Sequence, residues 1–214
     1  MVTLLVFVVS SVCSHADDNE VSAFLFPQFE KGYVVLRNNS SNRVPALLNY
    51  QKINERMMFL DADSVLFELD AKTVILVSIG DRTFIPAQNN AFLERIKTGD
   101  HEYYLSHKCI LVSQGKASGY GSYSQTASIG NMASVSNTPA WSFIRCDEKF
   151  AGVDKSTVTV KTDKRYEKVL TLKGLMKIFK SSQTALETFA RENKTDFSKL
   201  DDVVAIVEYA FSLP

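Results

Sequence analysis

The sequence predicts an α+β fold that is mostly β: an antiparallel β-meander, a sandwich or half-barrel, with a small C-terminal helical unit. Three observations predict it. Apolar blocks rich in Val, Ile, Phe, Tyr and Leu recur from Glu30 to Ser113, separated by turn residues. The connections between them are short, which suits antiparallel hairpins, because parallel pairing needs long crossovers. From Leu172 onward the apolar residues switch to helical spacing.

In chain order the strand blocks are KGYVVLR (31–37), VPALLNY (44–50), INERMMFL (53–60), SVLFEL (64–69), TVILVSI (73–79), RTFIPA (82–87), AFLERI (91–96) and EYYLSHKCILV (102–112). Turns are expected at Asn38–Asn42, Asp61–Asp63, Gly80-Asp81 and Thr98–Asp100. Pro45 and Pro86 belong at strand ends, edges or bulges, because proline has no N–H for a ladder. WSFIRC, from Trp141, then STVTVKT (156–162) and RYEKVL (165–170) read as further strands.

Residues 114–140 differ. Four of the nine glycines lie there and Lys116 is the only charge, so regular structure is entropically expensive without outside help. This stretch is expected to be a flexible Gly/Ser/Tyr-rich linker, or a binding loop that orders on a partner. Lys116, Tyr120 and Tyr123 are its candidate contact residues, since tyrosine offers large contact area at low entropic cost. Ile129 and Met132 add apolar surface.

In the tail, Leu172, Leu175, Met176 and Phe179 line one helical face, and Leu186, Phe189 and Ala190 a second, capped by Ser181 or Ser182. Ser198-Lys199-Leu200-Asp201 has the capping-box pattern of a third, with Val203, Val204, Val207, Ala210 and Phe211 as its apolar face. The expected division is a signal peptide over 1–16, a β domain over 17–170 and helices over 171–214.

The signal expectation rests on the apolar run Val2–Val12, the small residues Ser14 and Ala16, and the acidic pair Asp17-Asp18. No Lys or Arg precedes the run. Cys13 suggests a lipoprotein signal as an alternative, but Val12 and Ser10 are not the residues such a signal favours. The run is about half of the ~20 residues a membrane-spanning helix needs. Peripheral membrane association stays open.

Lys plus Arg is 24 and Asp plus Glu is 24, a balance that argues against a dedicated nucleic-acid binder. No phosphate loop, dinucleotide fingerprint or GxSxG elbow is present, and no cofactor is expected. His107 is the main candidate if the protein is a hydrolase. Were 102–112 one strand, His107 and Cys109 would share a face, but a metal site would need further ligands such as Cys146 or His101. No metal site is assigned. Asp61, Asp63, Glu68 and Asp70 read as solvated turn residues, and the basic stretch Lys161–Lys180 as a solvated face. In an oxidising compartment Cys109 and Cys146 are a candidate disulfide across the roots of the 114–140 segment. Its ring of roughly 38 residues would be worth about 4 kcal/mol. Two separate buried thiols are the alternative.

Several short motifs carry a resemblance. They are Pro27-Gln28-Phe29 with Gly32, Leu48-Asn49-Tyr50 with Glu55, Met57 and Phe59, Asp81 to Pro86, His107-Lys108, Gly115 to Gly121, and the tail Lys173–Glu208. Together the chain resembles a largely uncharacterised family of exported Bacteroidetes envelope proteins. The resemblance implies a Gram-negative envelope location and no activity, and Cys109 departs from its pattern.

The leading expectation is therefore a non-catalytic envelope protein, periplasmic or outer-membrane-associated, that binds another envelope protein. A carrier of a lipid or other apolar ligand, lined by Met57, Met58, Phe59 and Phe67, is the alternative, and a hydrolase using His107 the second.

Overall fold

The computed structural model describes residues 23–117, 123–124, 148–162 and 165–213. The expected signal segment, Tyr120, Ile129, Met132, the WSFIRC block and Cys146 lie outside the described residues.

The strands are β1 (Glu30–Leu36), β2 (Asn39–Gln51), β3 (Arg56–Leu60), β4 (Leu66–Glu68), β5 (Val74–Ile79), β6 (Arg82–Pro86), β7 (Phe92–Thr98), β8 (His101–Ser106), β9 (Cys109–Ala117), β10 (Tyr123–Ser124), β11 (Glu148–Asp154), β12 (Thr157–Lys161) and β13 (Tyr166–Val169). The helices are α1 (Leu172–Ile178), α2 (Gln183–Glu192) and α3 (Leu200–Ser212). A ten-stranded antiparallel sheet runs in the order β13-β12-β8-β7-β6-β5-β1-β2-β3-β4, and a second sheet in the order β10-β9-β11.

The expected turn over Asn38–Asn42 is instead mostly strand. The chain reverses at Arg37-Asn38, and Leu36 faces Asn39 across a bulge of Ser40–Asn42 in β2. Of the polar run only Asn39 has a register partner on β1, and Ser40–Asn42 lengthen β2 as its bulged residues.

Directly opposed residues on paired strands share a face. Val44, Val34, Val77, Phe84, Glu94, Leu105, Val158 and Val169 follow one another in register, and so form one row across eight strands. Glu94 is the one charged member of that row.

The row joins two apolar clusters. One gathers Val34, Leu48, Tyr50, Met57, Val77, Phe84 and Phe92. The other packs Tyr103, Leu105, Val158, Val160 and Val169 against Leu175, Leu186, Val203, Ile206, Val207 and Ala210 of the helices.

The first cluster closes by curling. β2 and β7 are four strand spacings apart in the sheet, about 19 Å if it were flat. Yet the Tyr50 hydroxyl donates to the Phe92 carbonyl at 3.0 Å, and the Phe92 N–H to the Glu55 carbonyl at 2.8 Å. This end of the meander is the half-barrel. Gly32 permits the close approach of the neighbouring strands β1 and β5 there: a Cβ would lie 2.2 Å from the Ser78 carbonyl oxygen.

The helices cap the other end. Thr171 Oγ1 accepts the Gly174 N–H at 3.1 Å, an N-cap worth about 1 kcal/mol. Ser182 precedes α2 without a side-chain cap bond. The capping box expected at Ser198 does not form, because Ser198 Oγ donates to Asp196 Oδ1 at 2.7 Å and Lys199 takes the N-cap position. The buried stripe of α3 is Val203, Ile206, Val207 and Ala210. Ile206 therefore joins the expected face, while Val204 and Phe211 are only partly buried.

The expected strand 102–112 is two strands in two sheets. β8 pairs with β12, placing Ser106 opposite Thr157. β9 pairs with β11, placing Cys109 opposite Asp154. No residue is gained or lost between, so His107 and Lys108 face Ser156 and Lys155, and the Lys155 N–H donates to the Lys108 carbonyl at 2.7 Å. The two pairs are one antiparallel ribbon that bends at His107 and passes out of the main sheet in unbroken register.

Candidate functional site

The bend of that ribbon is built around a buried charge cluster. Glu94 and His107 are both buried. Arg82 donates to Glu94 through Nε to Oε1 and Nη2 to Oε2, both at 2.6 Å, the two-pronged geometry that suits a guanidinium and a carboxylate. His107 Nε2 lies 2.6 Å from the same Oε2.

At that distance from an ionised carboxylate, Nε2 carries a proton and donates it. The 3.0 Å approach of Arg82 Nη2 to His107 Nε2 is then a contact between two donors converging on one oxygen. Burial by itself would raise the Glu94 carboxyl. The Arg82 and His107 hydrogen bonds and charges outweigh it and hold the group at about 2. The Arg82 guanidinium also lies over the rings of Phe26 and Phe84, 5.2 and 5.6 Å from their centroids.

Tyr50 braces the cluster. Its ring meets the imidazole of His107 edge-on at 5.9 Å, and its hydroxyl accepts the His107 backbone N–H while donating to Phe92. Burial and then the nearby Glu55 charge push its hydroxyl well above the ordinary tyrosine range.

Two clefts flank this core. One, of about 450 Å³, lies between the β2–β3 turn, the Gln88–Ala91 turn and the start of β9; Glu55, Arg56, Lys108, Cys109 and Leu111 are among its walls. Glu55 binds Ser106 through a short hydrogen bond, and Lys108 Nζ lies 3.6 Å from its other oxygen. Glu55 and Asn89 both hold left-handed backbone, with φ of 58° and 57°, which costs a non-glycine residue about 1 kcal/mol or more. The other, about 430 Å³, is lined by Phe26, Phe29, Lys31 and Arg82, among others.

His107, the hydrolase candidate, is thus not an exposed group. It is buried at the bend with Nε2 committed to Glu94, and it lines neither cleft. His107 and Cys109 do not form a metal pair, and no group of three or more metal-ligating side chains occurs among the described residues.

Cys109 is buried, its thiol raised by burial and 3.7 Å from the Ile110 carbonyl. Its expected partner, Cys146, lies outside the described residues. Met57 sits in the half-barrel core, Met58 points to the opposite face, and Phe67 is exposed on the edge strand, stacked on Phe59 at 5.5 Å. These four residues do not line one cavity.

Gln114–Ala117, expected as the start of the loop, belongs to β9. Lys116 faces Ser124 and Tyr123 faces Ala117 in backbone register. Backbone pairing with β10 and β11 offsets the entropic cost of ordering these small residues. β11 was not anticipated, because EKFAGVD lacks a run of strand-forming residues.

The Arg82–Glu94–His107 cluster was also not anticipated, although a signal for it exists. Phe92, Glu94 and Ile96 alternate on one face of β7, and Arg82 and Phe84 on one face of β6. A charge at an inward position of each of two adjacent strands marks a buried pair. No family model, no curated protein and no solved structure matches the chain, so what this site does has to be read from its own geometry.

Proposed function

We propose that this chain is an exported envelope protein that acts by binding, as an accessory subunit of another periplasmic or outer-membrane component, and that the bent ribbon is its docking element. One observation carries the reading. The ribbon leaves the ten-stranded sheet in unbroken register and bares an apolar face. Ile110 and Val112 on β9 share that face with Val153 and Ala151 on β11, and Val112 and Val153 are exposed. An exposed apolar face on an ordered arm is characteristic of interaction sites.

Lys116 and Tyr123 lie further along the same arm, as contact residues should. The charge cluster fits the role of a brace: it ties the bend to the core and fixes the angle at which the arm projects. A hydrolase would need His107 Nε2 free and facing a cleft, and the geometry does not favour that.

Cross-linking in native envelopes followed by affinity purification and mass spectrometry tests the reading. The expected result is a fixed set of envelope proteins, with cross-links at Lys116. Recovery of the chain alone would overturn it.

A further inference from the structure

We propose that the helix-free face of β7, β8, β12 and β13 is a peripheral membrane-binding surface that takes anionic phospholipid headgroups. It is a second surface, separate from the arm, and does not depend on the arm's docking role.

Alternation along the strands separates the two faces of the sheet. Ile96, Leu105, Val158 and Val169 belong to the cluster that the helices cover. Their chain neighbours Arg95, Tyr104, Thr159 and Lys168 lie on the other face, opposed to one another in an unbroken row. In the next row of that face Lys97 opposes Glu102 and Lys161 opposes Tyr166.

The charge on this face is positive after its ion pairs are counted. Lys97 and Lys161 share one carboxylate, Glu102, at 3.7 and 3.1 Å, and Tyr104 donates to it at 2.9 Å. Neither Arg95 nor Lys168 is paired with a carboxylate among the described residues. Glu167 lies on the opposite face, where Arg165 binds it at 2.8 Å. Asp100, on the β7–β8 turn, is a further acid at the rim. Four cations against Glu102 and Asp100 leave a surplus of two. Residues 163 and 164, outside the described residues, are one aspartate and one lysine and cancel. Glu102 holds the Lys161 ammonium above its ordinary range, and the like charge of Arg95 opposes it. An anion between Arg95 and Lys161 relieves that repulsion.

The longer undescribed segments join the chain elsewhere. The Ala23 carbonyl accepts the Lys52 N–H beside the β2–β3 turn, and Ala117, Tyr123, Ser124 and Glu148 stand at the far end of the arm.

The apolar groups name the partner. Tyr166 and Leu170 flank Lys168 at the edge strand, on the same alternation, and are 62 % and 58 % exposed. Tyrosine favours the headgroup level of a bilayer, leucine the acyl boundary, and a lysine between them reaches phosphate. A nucleic-acid strand is held by a series of stacked bases, whereas Tyr104 is buried and leaves Tyr166 as the one ring this face exposes.

The test is co-sedimentation of the full chain with vesicles of phosphatidylcholine, with or without about one-third phosphatidylglycerol. Partitioning should be at least about tenfold stronger to the anionic vesicles and should fall away in about 0.5 M salt. Each cation near such a surface is worth about fivefold, so Arg95→Gln with Lys168→Gln should weaken binding at least about tenfold. Lys72→Gln with Lys199→Gln, exposed positions elsewhere with the same change in net charge, should leave it within about twofold. Urea unfolding of both double variants confirms that each is folded.

Equal partitioning to neutral and anionic vesicles would overturn the proposal, as would no binding to either. Equal losses in the two double variants would overturn it by showing an effect of net charge alone. Tighter binding of poly-glutamate or of a single-stranded oligonucleotide at the same salt would assign the face to another polyanion and overturn it too.

Discussion

His107 Nε2 and Glu94 Oε2 meet at 2.6 Å on the seam between the two apolar clusters, at the point where the ribbon leaves the main sheet. The contact ties a backbone bend to a buried charge. Glu94 stands opposite both Phe84 and Leu105 in the sheet, so its carboxylate has no route to water that its neighbours would not block. Arg82 and His107 supply the donors that water would otherwise provide. A buried ion cluster of this kind is a poor source of stability compared with an apolar packing of the same volume, but breaking it is costly.

The first consequence is acid sensitivity. The Glu94 carboxyl is lowered from 4.5 to about 2 in the folded chain. Between those values the unfolded chain binds a proton that the folded chain does not. The stability contributed by Glu94 is therefore complete above about pH 4.5 and is lost as pH falls toward 2. Its size is about 3 kcal/mol. Urea unfolding measured from pH 7 to pH 2.5 should show the loss concentrated in that window.

Glu94→Gln should remove that pH dependence and destabilise the chain at pH 7. Arg82 and His107 would keep their donors and lose the charge they converge on. Breaking a buried pair in this way costs about 3–5 kcal/mol, and Arg82, with 28 % of its side chain exposed, argues for the lower end. Urea unfolding at pH 7 checks it, and a loss under about 1 kcal/mol would show that the cluster is not a brace.

Much of the sheet was legible because strand signals are local. TVILVSI and STVTVKT show their strands through β-branched residues, and Gly80-Asp81 shows its hairpin through a left-handed glycine, at φ 58°. The bend at His107 was not legible. EYYLSHKCILV has uniform strand character, and the break comes from contacts distant in sequence: Glu94 holding the imidazole, Tyr50 holding the His107 N–H and Lys52 holding the Cys109 N–H. Ser198 misled for the opposite reason, since its local pattern was correct for a cap but Asp196 competed for its hydroxyl.

Cys109 should resist alkylation in the folded chain. Its side chain is buried, and burial raises the thiol, so little thiolate is available to react. Mass spectrometry after iodoacetamide treatment should find it unmodified in buffer. In denaturant, modification without reductant identifies a thiol, modification only after reduction a disulfide, and the cross-linked peptide in a non-reduced digest shows whether Cys146 is its partner.

Gly32 and Gly80 should respond differently to alanine, and the difference separates two uses of glycine. At Gly80 the demand is conformational: φ is 58°, and a Cβ would meet nothing within 4 Å. Gly80→Ala should cost about 1 kcal/mol, the penalty of a left-handed alanine. At Gly32 the demand is spatial. A Cβ would lie 2.2 Å from the backbone oxygen of Ser78 and 2.9 Å from Leu48 Cδ1. The leucine can turn aside, but the carbonyl belongs to β5, the partner strand, and can yield only if β1 and β5 separate. Gly32→Ala should therefore cost about 3 kcal/mol, lowering the melting temperature by about 6–12 °C. Trimming Leu48 to alanine in the same chain should give no rescue, because it removes the softer of the two contacts and opens a cavity in the half-barrel. Rescue would show that the side chain, not the strand spacing, sets the requirement for glycine.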